Sequence, residues 1–223
     1  MIKRIEVLGI ELDNYTVREA IRQVEVFLED QTLNTIECIT MQMLMDARTD
    51  SVLKDTLSAL NLTVVGEKQI LQAMGINDAQ RLREVKDNDF LSEFFKRLER
   101  NKKRIFLLGQ TSEQLTECRD IMMQKFPKLL FAGEYAMEHC GGDAEAVIND
   151  MNVTTPDVVL SVLPSPYQEH FLAEHKDKIN ANVWCGLGSK EIGNAKTGVR
   201  AFFQGKMQIS RFKNTINQYE EMR

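Results

Sequence analysis

Thr40-x-Gln42, Gly66-Glu67, Gly109-x-Thr111-Ser112 and Pro164-Ser165-Pro166-Tyr167-Gln168-Glu169 are where this chain gathers groups able to do chemistry. Each follows an apolar run of strand type. At Gly109 and Thr111, a glycine and a hydroxyl-capped helix start offer backbone N–H groups to a phosphate. The same residues equally make a plain strand–turn–helix with a normal cap. The segment 164–169 is more distinctive. Two prolines hold an extended approach, and Gln168 and Glu169 then open a helix. A glutamine both donates and accepts, which suits a sugar or a nucleotide base. The plain reading here is a rigid connection with an acidic first helical turn. Gly186-Leu187-Gly188 and Gly193 lack the G-x-G-x-x-G spacing of a dinucleotide site. His139-Cys140 is too small a cluster for zinc by itself, and the four cysteines contain no C-x-x-C pair. The residues therefore call for no metal and no cofactor.

Ligands of an open α/β sheet sit beyond the carboxyl ends of its strands, so parallel strands have to position these groups. Residues 5–10, 35–39, 62–65, 104–109, 129–132, 158–163 and 182–188 read as strands. Thr16 and Glu19 form a capping box for a helix with Val17, Ile21, Val24 and Leu28 at helical spacing. Further helices are expected over 43–60, over 90–100 and from Thr111 or Ser112 to Phe126, where Pro127 stops the last. Others start at 143 and span 168–175, while 77–89 reads as polar and irregular. Strands alternating with helices predict an α/β fold, a Rossmann-like three-layer αβα core over 1–195 with a mostly parallel sheet. Apolar strands without alternation suit a sheet covered on both faces.

The chain has 223 residues, 43% hydrophobic and 27% charged, enough for one buried core. A net charge of −5 disfavours a dedicated nucleic-acid binder. That charge is unevenly spread. Lys196, Arg200, Lys206, Arg211 and Lys213 make 196–213 five charges positive, leaving −10 for the rest. Phe202, Phe203, Met207, Ile209 and Phe212 interleave with them, so 196–223 reads as a helical, basic amphipathic appendage. Such a segment suits anionic headgroups or a diphosphate, or else packs on the core with a solvated basic face. The start of the chain is charged too early for a signal peptide, and no apolar run approaches the ~20 residues of a membrane span. An intracellular protein with reduced cysteines, soluble or peripheral, is the expectation.

The order of these features resembles the WecG/TagA/CpsF glycosyltransferases, glycosyltransferase family 26, over nearly the whole chain. Leu12-Asp13-Asn14-Tyr15-Thr16 is similar to the family's Asp-Asn-Leu-Thr, and Thr40-x-Gln42 to its Thr-x-Asn. Ile105-Phe106-Leu107-Leu108-Gly109, Pro156-Asp157-Val158-Val159-Leu160 and Pro166-Tyr167-Gln168-Glu169 are similar to further family segments. The resemblance implies an inverting, metal-independent enzyme at the inner face of the cell membrane. It would move an N-acetylmannosamine-type sugar from a UDP-sugar to a lipid-linked undecaprenyl-diphosphate acceptor. Homo-oligomers are common in the family. Inversion needs one base on the acceptor hydroxyl and donors or cations on the departing UDP. The family has Pro-Asp-Gly where this chain has Val65-Gly66-Glu67, so Gly66 stands at the expected base and Glu67 or Glu169 is its replacement. By the same resemblance Thr40 and Gln168 join Glu67 in catalysis. Gln42, Arg83, Gly109, Thr111, Tyr167, Glu169, Gly188, Arg200 and Arg211 are expected to bind substrate. Arg83 is taken as the stand-in for an arginine missing from the family's Arg-Val-Thr-Gly-x-Asp. Two other readings stand beside this one. One is a catalytically silent relative that binds a nucleotide-sugar or partners an active enzyme. The other is an unrelated α/β nucleotide-binding protein.

Overall fold

In the computed structural model, residues 3–187 and 199–221 are described, the side chains of 199–207 excepted. The chain opens with an antiparallel hairpin, β1 (Arg4–Val7) and β2 (Ile10–Asp13), where the sequence suggested one strand over 5–10. Leu8 and Gly9 turn it with φ of 52° and 81°, the backbone of a tight two-residue hairpin loop. Thr16 caps α1 (Val17–Phe27) in a complete capping box with Glu19. After β3 (Asn34–Ile39), the stretch expected as one helix is two, α2 (Met41–Asp46) and α3 (Ser51–Ser58). The break is at Asp50, which accepts from Leu53 N–H and starts the second helix.

β4 (Leu62–Val65) is followed by α4 (Lys68–Ala73) and α5 (Ala79–Lys86), the latter inside the segment read as irregular. Asp78 starts α5 by accepting from Arg81 N–H. The buried residues of α5 are Arg81, Glu84 and Val85, so its inward face is mostly charged and its apolar period is invisible. Then come α6 (Asp89–Arg100), β5 (Arg104–Gly109), α7 (Ser112–Lys125), β6 (Leu130–Ala136), α8 (Ala144–Val153), β7 (Val158–Ser161), α9 (Tyr167–His175), β8 (Val183–Gly186) and α10 (Val199–Glu221). β6 runs past the expected 129–132 because it is an edge strand whose exposed Glu134 hides the pattern.

Strands β3 to β8 form a six-stranded parallel sheet in the order β4-β3-β8-β7-β5-β6. Alternate residues serve opposite faces. Ile105 and Leu107 join the helices α1, α6 and α7 on one side. Phe106 and Leu108 join α8 and α9 on the other, with Trp184 fully buried among them. A third cluster binds the hairpin, α2, α3, α4 and α10 around Ile39 and Val65. This is the expected three-layer arrangement. Cys38, Cys118 and Cys185 are buried. Phe212 and Ile216 of α10 are buried in the third cluster, so the later part of the C-terminal helix is packed against the core.

Candidate active site

A parallel sheet brings all its carboxyl ends to one edge. At β3 that end is Thr40, whose hydroxyl caps α2 by accepting from Met43 N–H at 3.3 Å. Beside it β4 is followed by Gly66, whose N–H donates to Ile39 O at 2.9 Å. A Cβ at Gly66 would lie 3.0 Å from that same oxygen, so the two chains run too close there for a comfortable side chain. Glu67 follows, half-buried, and its Oε2 accepts from Met41 N–H at 2.7 Å. Thr40 and Glu67 thus meet at the N-terminus of α2, where a carboxylate is favoured. Gln42 is exposed one step further on, its Nε2 donating to Asp46 at 2.7 Å.

On the α1 side of β4 lies a small cleft, lined among others by Asp13, Cys38, Thr63, Gly66, Arg81 and Glu84. Asp13 accepts from Thr63 N–H at 3.0 Å, which ties the hairpin to β4. Arg81, only 4% exposed, donates to Glu84 at 2.9 Å and to Asn14 Oδ1 at 3.3 Å. Glu84 also accepts from Val17 N–H at 3.3 Å. The arginine at this cleft is therefore Arg81. Arg83 is exposed on another side of α5, in a surface groove with Arg18 and Arg22. The expected stand-in was two residues away from the one that points inward. A helix over Ala79–Lys86 puts residues i, i+3 and i+4 on one face, so the signal was the spacing Arg81, Glu84, Val85.

The phosphate reading of Gly109 and Thr111 meets donors that are already occupied. Thr111 accepts from Gln114 N–H at 3.2 Å, Gln110 N–H donates to Gln114 Oε1 at 2.8 Å, and Ser112 N–H donates to Glu138 at 2.7 Å. A carboxylate already sits at the start of α7, held below the usual carboxylate range by its bonds from Ser112. Gly109 is small for a packing reason, since a Cβ there would lie 2.6 Å from Leu115 Cδ2.

At the end of β7 the chain enters α9 through Pro164 and a cis Ser165–Pro166 bond. Tyr167 is exposed, whereas Gln168 and Glu169 are fully buried. Gln168 Nε2 donates to Glu37 Oε1, on β3. Burial, and then the neighbouring Glu169, hold the Glu37 carboxyl well above the usual range. Glu37 was not among the expected site residues. Its signal was a lone carboxylate inside the apolar run Ile36-Glu37-Cys38-Ile39. Arg211 is exposed on α10, next to the buried Phe212. That helix packs on α2 and α4, the two helices that begin at Thr40 and Glu67. Gly188 and the side chain of Arg200 lie outside the described residues.

Residues 5–190 match the family described as Glycosyl transferase WecG/TagA/CpsF. The chain is also similar to proteins of Staphylococcus aureus strains COL and N315. Both are named N-acetylglucosaminyldiphosphoundecaprenol N-acetyl-beta-D-mannosaminyltransferase. Each is 21% identical over 193 residues, a span that covers 83% of this chain and 73% of the relative.

Proposed function

The chain belongs to the WecG/TagA/CpsF glycosyltransferase family, and we propose that it moves an N-acetylmannosamine-type sugar from a UDP-sugar to a lipid-linked, undecaprenyl-diphosphate acceptor. The product would feed cell-surface polysaccharide or teichoic acid synthesis. The observation that carries this reading is the meeting of Thr40 and Glu67 at the start of α2. Met41 N–H fixes one oxygen of Glu67. Its Oε1 makes no hydrogen bond among the described residues and is free to take the proton of the acceptor hydroxyl. Thr40 flanks that carboxylate, and Gln168 binds the sugar from the end of β7. The basic residues Arg200 and Arg211 of the C-terminal helix stabilise the departing diphosphate. The aromatic and basic content of 196–223 supports peripheral contact with the inner face of the membrane. No helix among the described residues is long and apolar enough to cross a membrane.

The test is release of UDP from UDP-N-acetylmannosamine by the purified protein, with a lipid-linked N-acetylglucosamine diphosphate analogue as acceptor. Glu67→Gln should lower kcat by about 10²–10⁴-fold, the usual contribution of a general base, with little change in Tm. Absence of turnover in the wild-type protein, with UDP binding intact by calorimetry, overturns the reading. It would support the second one, a catalytically silent relative that binds the nucleotide-sugar. That alternative draws on a specific observation. The carboxylates lining the cleft, Asp13 and Glu84, are committed to Thr63 and to Arg81, and Gly66 stands where the family has its Asp.

A further inference from the structure

Glu37, in the middle of β3, is 1% exposed, and Gln168 and Glu169 at the start of α9 have no exposed surface. Two carboxyls and one amide therefore meet under the carboxyl edge of the sheet. Gln168 Nε2 donates to Glu37 Oε1, and Glu169 Oε1 lies 3.5 Å from the same nitrogen. Gly186 of β8 makes the room. A Cβ there would lie 2.5 Å from Gln168 Nε2 and 2.8 Å from Glu37 Oε1. Turning the amide over would set its carbonyl oxygen against carboxyl oxygens, so the contact selects one orientation. In that orientation Gln168 Oε1 is buried and has no hydrogen-bond partner among the described residues. A buried acceptor of this kind is costly unless something donates to it.

We propose that Glu37 is a positioning residue of the transferase site: it holds the Gln168 amide with Nε2 toward the buried carboxyls, so that Oε1 accepts from a hydroxyl or N–H of the sugar. The inference rests on the reading of Gln168 as a sugar-binding residue. Two adjacent buried carboxyls do not both ionise, and Glu37, raised by burial first and by Glu169 second, keeps the proton. In that form Glu37 accepts from Gln168 with Oε1 and sets no charge against Glu169. The titratable groups facing it are Glu169 from α9 and Cys185 from β8, whose thiol burial and Glu37 both push up. No ion pair reaches either carboxyl among the described residues. Loss of the proton at high pH sets two carboxylates side by side, and their repulsion displaces the oxygens that hold the amide.

The experiment measures kcat/KM for sugar transfer against pH in wild type, Glu37→Gln, Glu37→Leu, Gln168→Ala and the Glu37→Leu/Gln168→Ala double variant. Side-chain amide exchange of Gln168 is followed by NMR in the same proteins. Glu37→Leu is expected to lower kcat/KM by roughly 10²-fold, the cost of a misplaced contact. The double variant should be no worse than Gln168→Ala alone, because Glu37 acts through Gln168. Glu37→Gln keeps an oxygen for the Gln168 amide and cannot ionise, so it should retain kcat/KM at neutral pH and remove the decline at alkaline pH. The Gln168 amide should exchange slowly in wild type and Glu37→Gln and quickly in Glu37→Leu. Full activity in Glu37→Leu, multiplying losses in the double variant, or an amide still protected in Glu37→Leu overturns the proposal. If Glu37→Leu does not fold, an unchanged alkaline decline in Glu37→Gln overturns it and a removed one supports it. A wild-type protein without turnover would sink the transferase reading, while amide exchange still decides whether Glu37 fixes Gln168.

Discussion

Glu67 stands one residue beyond Gly66, and that step turns its carboxylate onto Met41 N–H at 2.7 Å while Gly66 lines the cleft. A carboxylate shifted by one position along an extended backbone faces another neighbour, because successive side chains point to opposite sides. The residue types at both positions were plain in the sequence; the direction of Glu67 was not. Glu37 makes the same point more sharply, since its partner Gln168 is 131 residues away. Its titration carries a stability consequence. A carboxyl raised in the folded protein contributes stability that is fully present below its unfolded value and lost as pH rises through the folded one. Glu37→Gln removes that titration. Its stability relative to wild type should therefore increase steadily from mildly acidic to alkaline pH. Urea midpoints across that range check this, and a constant difference would refute it.

Helices and strands here are placed by close approach as much as by propensity. Gly109 ends β5 against α7, with Leu115 and Gln114 where a Cβ would go, at 2.6 and 3.1 Å. Gly109→Ala should cost about 1–3 kcal/mol through overpacking, read as a lower urea midpoint with an unchanged slope. Nucleotide affinity unaffected by the substitution would agree with the occupied donors at the start of α7. α5 shows the opposite limit of sequence reading. Its inward face carries Arg81 and Glu84, so a helix with a charged interior looks like a polar loop until Arg81 is seen to reach Asn14 and Glu84 to reach Val17 N–H. The capping box at Thr16 and Glu19, by contrast, was legible because a cap is written within four consecutive residues.

Across the whole molecule, the C-terminal helix packs an apolar side on the core and leaves basic residues exposed. Phe212 is fully buried in the cluster shared by the hairpin, α2 and α4, while its neighbours Arg211 and Lys213 are exposed. The two functions separate by substitution. Phe212→Ala should destabilise the fold by roughly 3–5 kcal/mol. An Arg211→Ala/Lys213→Ala double substitution should leave Tm unchanged and weaken co-sedimentation with anionic vesicles, and undiminished vesicle binding would remove these two residues from any membrane contact. The sequence by itself determined the α/β class, the parallel sheet, the family and the strand ends where groups collect, because periodicity, caps and apolar runs are local properties of the chain. Only the tertiary structure decided that Asp13 ties the hairpin to Thr63, that Arg81 rather than Arg83 enters the cleft, and that Glu37 grips Gln168. Those contacts join segments between 50 and 131 residues apart or turn on the face a helix buries. They depend on the strand order β4-β3-β8-β7-β5-β6, which emerges only when both faces of the sheet are packed at once.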